Sequence, residues 1–293
     1  MNITISGSLG NTGKPLTQRL VQAGQQVTVI SSDASKKAAI EALGAKAAIG
    51  SISDTDFLKT ALDGADALFA MTPPNIGGSN VIANTTAAGK AYAKAIAATG
   101  VAKVVMLSSV GAEYSTGNGP IAAIHNIEQL YHELPDTTVT FLRAGYFYLN
   151  FYNDIPVIKA AGTMLGNFPG STIIPMVHPE DIALIAAEEL QLPSKGKKVR
   201  HAVSDVKTAT EVARILGSAI GKADLPWTEI TDEQYLHGLE QAGLPKEIAA
   251  LYTEMGGGLR EGKLSGDFIK SGSPVDGKIK LTDFAKDFAQ KYQ

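Results

Sequence analysis

Three glycines, Gly7, Gly10 and Gly13, stand between a short apolar run, Ile3-Thr4-Ile5, and a segment beginning at Lys14. The spacing suits the binding of a phosphate. A glycine at the first position permits a tight strand-to-helix turn, the second admits close approach of a pyrophosphate, and the third lets the helix pack closely. The helix that follows aims its unpaired N–H groups and the positive end of its dipole at the anion. Gly7, Ser8, Leu9, Gly10, Asn11, Thr12 and Gly13 are therefore the candidate pyrophosphate residues. A glycine triplet alone is weak evidence, because a glycine-rich turn is more often only a turn. Here a predicted helix from Lys14 to Ala23 and a second strand, Val27-Thr28-Val29-Ile30, complete the βαβ unit that dinucleotide binding requires.

Further chemistry-bearing residues fall at the ends of later strands. After the second strand the chain reads Ser31-Ser32-Asp33-Ala34-Ser35-Lys36-Lys37. An acid there would hold a ribose 2′-hydroxyl, whereas hydroxyls and a cation would accept a 2′-phosphate. Ser31, Ser32 and Lys36 favour the phosphate, hence NADP with NAD as the alternative; Asp33 is either an opposing acid or the N-cap of the next helix. Thr72 and Pro73 follow the apolar strand Ala65 to Met71 and are candidate walls of a nucleotide site. Ser108, closing the strand Val101 to Ser109, reads as a hydroxyl for substrate or nicotinamide ribose, or as one satisfied by backbone. On the next predicted helix, Ile121 to Leu134, His125 and Glu128 share a face.

The elements that must position these residues alternate β and α through the strand Thr138 to Arg143, and near-continuous apolar strands at Val27, Ala65 and Val104 imply a sheet buried on both faces. The expected architecture is α/β: a Rossmann-like, doubly wound parallel sheet from residues 1–148 and 173–222, with a smaller α/β lobe from 149–172 and 223–293. The 26 basic and 29 acidic residues are mixed along the chain, giving a net charge of −3 and no basic block, so nucleic acid is not an expected partner. No cysteine occurs, which excludes disulfides, thiolate metal sites and cysteine nucleophiles, and no metal site is expected. Strand residues begin at Asn2 and no apolar run reaches the length of a membrane span; the expectation is a cytoplasmic protein, monomeric or homodimeric.

Several motifs in order resemble one family over nearly the whole chain. They are the glycine turn, Thr72-Pro73-Pro74, Val105-Met106-Leu107-Ser108-Ser109-Val110-Gly111, His125-Asn126-Ile127-Glu128 and Leu142-Arg143-Ala144-Gly145-Tyr146-Phe147-Tyr148-Leu149-Asn150-Phe151. Tyr235 to Pro245 and Met255-Gly256-Gly257-Gly258 continue the likeness. Together they resemble the NmrA-like branch of atypical short-chain dehydrogenases/reductases, nearest its NAD(P)H:quinone oxidoreductase-like members. Two positions depart from the family pattern: Ser31 stands where a basic residue is common, and Ser51 where an acid is. The resemblance implies NAD(P)H as cofactor, a small quinone-like acceptor, Asn150 among the cofactor residues, and a cleft covered by the loop-rich stretch around Gly162 to Gly170.

Short-chain reductases of the ordinary kind use a Tyr-x-x-x-Lys pair, and this chain lacks it: four residues after Tyr131 stands Pro135, and no lysine lies between Lys103 and Lys159. That absence weighs against alcohol, ketone and sugar-epimerase chemistry more than against quinone reduction, whose phenolate product solvent can protonate. His125 and Tyr146 are the candidate catalytic groups, with Tyr146, Phe147, Tyr148, Phe151 and Tyr152 as stacking surface or as ordinary core. Two classes of function follow: an oxidoreductase passing hydride from NAD(P)H to a quinone-like acceptor, or a non-catalytic regulator that senses NAD(P) redox state through protein contacts.

Overall fold

The structure is a computed structural model that describes residues 1–74, 78–193 and 195–293. The first half alternates as expected: β1 (Asn2–Ile5), α1 (Gly13–Gln22), β2 (Gln26–Ser31), α2 (Lys37–Ala42), β3 (Lys46–Ile49), α3 (Thr55–Leu62), β4 (Ala67–Ala70), α4 (Val81–Thr99), β5 (Lys103–Ser109), α5 (Ile121–His132) and β6 (Thr138–Ala144). Then come β7 (Tyr146–Phe147), α6 (Ile155–Ala161), β8 (Met164–Gly166), β9 (Ile173–Val177), α7 (Pro179–Gln191), β10 (Lys197–Ala202), β11 (Asp205–Thr208), α8 (Ala209–Ala219) and β12 (Trp227–Glu229). Helices α9 (Asp232–Gln241), α10 (Lys246–Arg260), α11 (Gly266–Lys270) and α12 (Leu281–Tyr292) complete the chain.

Seven strands form one sheet in the order β10-β6-β5-β4-β1-β2-β3, every pair parallel. This is the expected doubly wound sheet, and its order reverses between β1 and β4. Its strands are covered on both faces, which is why all four residues of β4 are buried. Leu16 and Leu20 of α1 pack with Ile182, Ala186 and Leu190 of α7 on one face. Leu58 of α3, Tyr92 and Ile96 of α4, and Ile127 and Tyr131 of α5 cover the other. Fully burying each of the larger side chains contributes roughly 1.5–3 kcal/mol relative to exposure.

A third core, built on Tyr148, Phe151, Phe168, Phe284 and Phe288, lies under the C-terminal helices. Two small sheets accompany it, β11-β9-β7 and β12-β8. Within residues 173–222, assigned to the sheet domain from sequence, only β10 joins the large sheet; β9 pairs instead with β7 and, antiparallel, with β11. The sequence predicts a helix from Lys246 that reaches Met255, yet α10 runs on through three glycines to Arg260. Glycine weakens a helix by about 1 kcal/mol relative to alanine. Close packing explains its use at Gly256, where any side chain would collide with Asn167. Among the described residues, no helix is long and apolar enough to cross a membrane.

Candidate functional site

The glycine turn lies at the carboxyl end of β1, beside the reversal of strand order where ligands of open α/β sheets bind. Ser6 ties it to β4: its hydroxyl donates to the Phe69 carbonyl at 3.1 Å and accepts from the Met71 N–H at 2.7 Å. Gly7 adopts φ +100°, where a side chain would also strike Met71, and a side chain on Gly13 would strike the Ser8 carbonyl. Both glycines are thus fixed by geometry. Among the described residues, the N–H groups of Asn11, Thr12 and Gly13 donate to no protein acceptor and stand at the start of α1. An anion bound there would meet three donors and a helix dipole.

The end of β2 differs from what the residue types suggest. Ser31 is buried, and its hydroxyl accepts from Ser8 at 2.9 Å and donates to the Asp33 carbonyl at 3.2 Å. It therefore shapes the turn and has no donor left for a phosphate. Asp33 is the N-cap of the short turn Ala34–Lys36, accepting from the Ser35 N–H and hydroxyl at 2.9 and 2.6 Å. Those bonds hold its carboxyl below the usual range. Ser32, Lys36 and Lys37 are exposed around it.

Next to the glycine turn, a cavity of about 310 Å³ opens at the carboxyl ends of β4, β5 and β6. Thr72, Pro73, Ser108, Tyr146 and Asn150, all singled out in the sequence, line it together. Apolar residues of α5, β9 and α10 contribute to the remaining wall, among them Ile121, Ile174 and Met255, with Tyr252 beside them. Its size lies at the lower end of the roughly 300–1,000 Å³ typical of small-molecule sites.

His125 stands outside this wall. Its Nδ1–H donates to the Ala112 carbonyl at 2.8 Å, and it is not among the residues lining the cavity. Helix α5 instead turns Ile121 and Ile124, three residues apart, toward the space. His125, one position further along, faces sideways. His178 caps α7, its ring accepting from the Glu180 N–H at 3.2 Å.

Ser108 is set by a buried charge cluster that sequence reading missed. Its hydroxyl donates to Glu128 Oε1 at 2.5 Å, and Arg143 grips the same carboxylate through Nε at 3.1 Å and Nη2 at 2.7 Å. Arg143 reaches on through Nη1 to Asp267 at 2.7 Å and Glu113 at 3.3 Å. With its proton committed to Glu128, Ser108 presents a hydrogen-bond acceptor to the cavity. Tyr146 has the opposite character. Burial, with negative charge on Asp154 adding to it, pushes its phenol well above the ordinary range, so it keeps its proton as a donor.

The molecule as a whole has known counterparts. An NAD(P)H azoreductase from Xenophilus azovorans is 23% identical over 256 residues, spanning 86% of this chain and 85% of that one. An NADPH-dependent quinone oxidoreductase from Escherichia coli, solved with NADPH, superposes with a TM-score of 0.84 at 21% identity, covering 97% of this chain and 99% of the other. A triphenylmethane reductase from Citrobacter sp., solved with NADP(H), gives 0.81 at 22% identity over 98% and 99% of the two chains. The profile of the NmrA-like family matches residues 1–258, from the glycine turn through the glycines of α10, and the chain belongs to that family.

Proposed function

We propose that this chain is an NAD(P)H-dependent oxidoreductase that reduces a planar, quinone-like acceptor in the cytoplasm. The observation that carries the reading is one juxtaposition: an apolar cavity walled by Tyr146, Phe147 and Tyr252 adjoins a turn with three backbone donors that have no acceptor among the described residues. The azoreductase, quinone oxidoreductase and triphenylmethane reductase to which it is similar all reduce conjugated compounds, which supports the same acceptor class here. The fit of the residues to a dinucleotide is good. Asn11, Thr12 and Gly13 would hold the pyrophosphate, and Ser108 and Thr72 would meet the nicotinamide ribose. At the adenosine end, Ser32, Lys36 and Lys37 would take a 2′-phosphate, making NADP the preferred cofactor although Asp33 stays ionised among them.

When bound, a reduced nicotinamide supplies the hydride; the chain supplies position and surroundings. Tyr252 stacks the acceptor and excludes water, and the Tyr146 hydroxyl donates to the acceptor oxygen that becomes negative. His125, held by Ala112, has a structural role in this reading. The test is acceptor-dependent oxidation of NADPH over a panel of quinones and azo dyes, beside calorimetric NADPH binding, for wild type and Gly10→Val. Wild type should bind and turn over, and Gly10→Val should do neither while staying folded. Undiminished binding by the variant would discard the phosphate assignment, and binding by wild type without turnover would return the chain to the class of sensors.

A further inference from the structure

Reduction of a quinone consumes one hydride and one proton, and among the described residues that line the main cavity there is no carboxyl, imidazole or ammonium group. Glu128, behind Ser108, is held by Arg143, but a second acid lies one layer back behind Tyr146. A side cavity of about 60 Å³, large enough for water, shares Tyr146, Ile174, Tyr252, Met255 and Leu259 with the main cavity. Among the described residues of its lining Asp154 is the one charged group, and the other titratable groups facing it are Tyr146 from β7, Tyr235 from α9 and Tyr252 from α10. Asp154 occupies the N-cap position of α6, where an aspartate ordinarily bonds the first free N–H groups. Its side chain makes no such bond. Among the described residues it has neither a hydrogen-bond partner nor a cation, and it presents its carboxyl to the side cavity.

Building on the oxidoreductase reading above, we propose that Asp154 is the proton source of the acceptor site, acting through the Tyr146 hydroxyl. The atoms balance in a simple way. Hydride brings two electrons and one proton's worth of hydrogen to the acceptor, which is reduced while the nicotinamide is oxidised. The acceptor oxygen, left negative, forms an O–H bond with the Tyr146 proton. Tyr146 takes a replacement from the Asp154 carboxylic acid across a water in the side cavity, and the Asp154 O–H bond breaks. Solvent reprotonates Asp154 before the next turnover.

Burial without a counterion pushes the Asp154 carboxyl up to about 7, so the group holds a transferable proton near neutral pH. An acid matched to the working pH is the most effective proton donor. Tyr146, whose own phenol lies far above that range, passes a proton on without ionising at rest.

The experiment uses the full-length protein and two readouts. Infrared titration of the cofactor-free protein should show a protonated carboxyl that ionises near neutrality and is missing in Asp154→Asn. Turnover with NADPH and a quinone should fall in wild type as pH rises through about 7. Asp154→Asn should lose on the order of a hundredfold at pH 6 and show no inflection, with NADPH affinity kept. Tyr146→Phe should lose the inflection yet retain the carboxyl titration, so the proposal stays testable if Asp154→Asn folds poorly. A carboxyl that titrates in the ordinary range, or an Asp154→Asn protein with the wild-type rate and profile, would overturn it. Complete absence of quinone turnover by wild type would instead remove the oxidoreductase reading, and the relay with it, whatever the infrared titration showed.

Discussion

Two carboxyls stand one residue back from the same cavity, the buried Glu128 behind Ser108 and the half-buried Asp154 behind Tyr146, and they are treated in opposite ways. Glu128 is saturated: Ser108 and two Arg143 nitrogens occupy its oxygens at 2.5 to 3.1 Å. Asp154 has no partner among the described residues, and burial carries it up to about 7. A buried charge that is fully paired is held in one geometry by its partners, so it serves as scaffold. One left alone escapes the desolvation cost by becoming neutral, and a neutral acid has a proton to give. The difference separates the part of the site that positions from the part that reacts.

The largest effect that would break this contrast is expected at Arg143. Arg143→Met leaves the Glu128 charge buried and uncompensated, which should cost about 3–5 kcal/mol in urea denaturation. A loss below about 1 kcal/mol, the range of exposed pairs, would mean that the cluster is not the scaffold described. Asp154 should show the reverse. Its folded-state value of about 7 lies above the roughly 3.9 of an unfolded aspartate, so between those pH values the folded protein holds a proton that the unfolded chain has released. Stability should therefore decline as pH rises across that window and level off above it, by up to about 4 kcal/mol. Asp154→Asn should match wild type near pH 4 and exceed it near pH 8; a flat difference between the two proteins would contradict the assignment.

Smaller effects sharpen the cavity wall. Ser108→Ala removes the acceptor presented to a ligand, one hydrogen bond of about 0.5–1.5 kcal/mol, and should weaken NADPH binding by up to about tenfold in calorimetry. His125→Ala should be the mildest, with quinone turnover within about twofold of wild type, because its imidazole serves the Ala112 carbonyl and not the cavity. A loss of a hundredfold, the scale expected for a general acid, would restore it to the chemistry.

What the sequence disclosed and what it hid follow the range of the interactions involved. The parallel sheet and the glycine turn were legible because strand burial and turn geometry are written in consecutive residues, as in Ala67 to Ala70 and Gly7 to Gly13. Thr72, Ser108 and Tyr146 could be placed at one site because each ends or follows a strand of a doubly wound sheet, and such ends converge. His125 was misdirected by a single step around a helix: Ile121 and Ile124 take the cavity face that its neighbourhood in sequence seemed to offer. Ser31 is of a type that binds phosphate, but a bond from Ser8, twenty-three residues away, turns it inward. The Glu128–Arg143 pair joins a helix to a strand, and Asp154 meets Tyr235 and Tyr252 only through the packing of α9 and α10. No local pattern announces contacts of that kind.

The central claim is that hydride passes from a nicotinamide held on the glycine turn to an acceptor in the cavity beside it. Acceptor-dependent oxidation of NADPH deuterated on one or the other face of the nicotinamide C4 tests it directly, with a quinone as acceptor. A fixed site should select one face, so one deuterated epimer should slow turnover through a primary isotope effect and the other should leave it unchanged. NADPH that binds tightly and is never oxidised, at any concentration of quinone or azo dye, would contradict the claim.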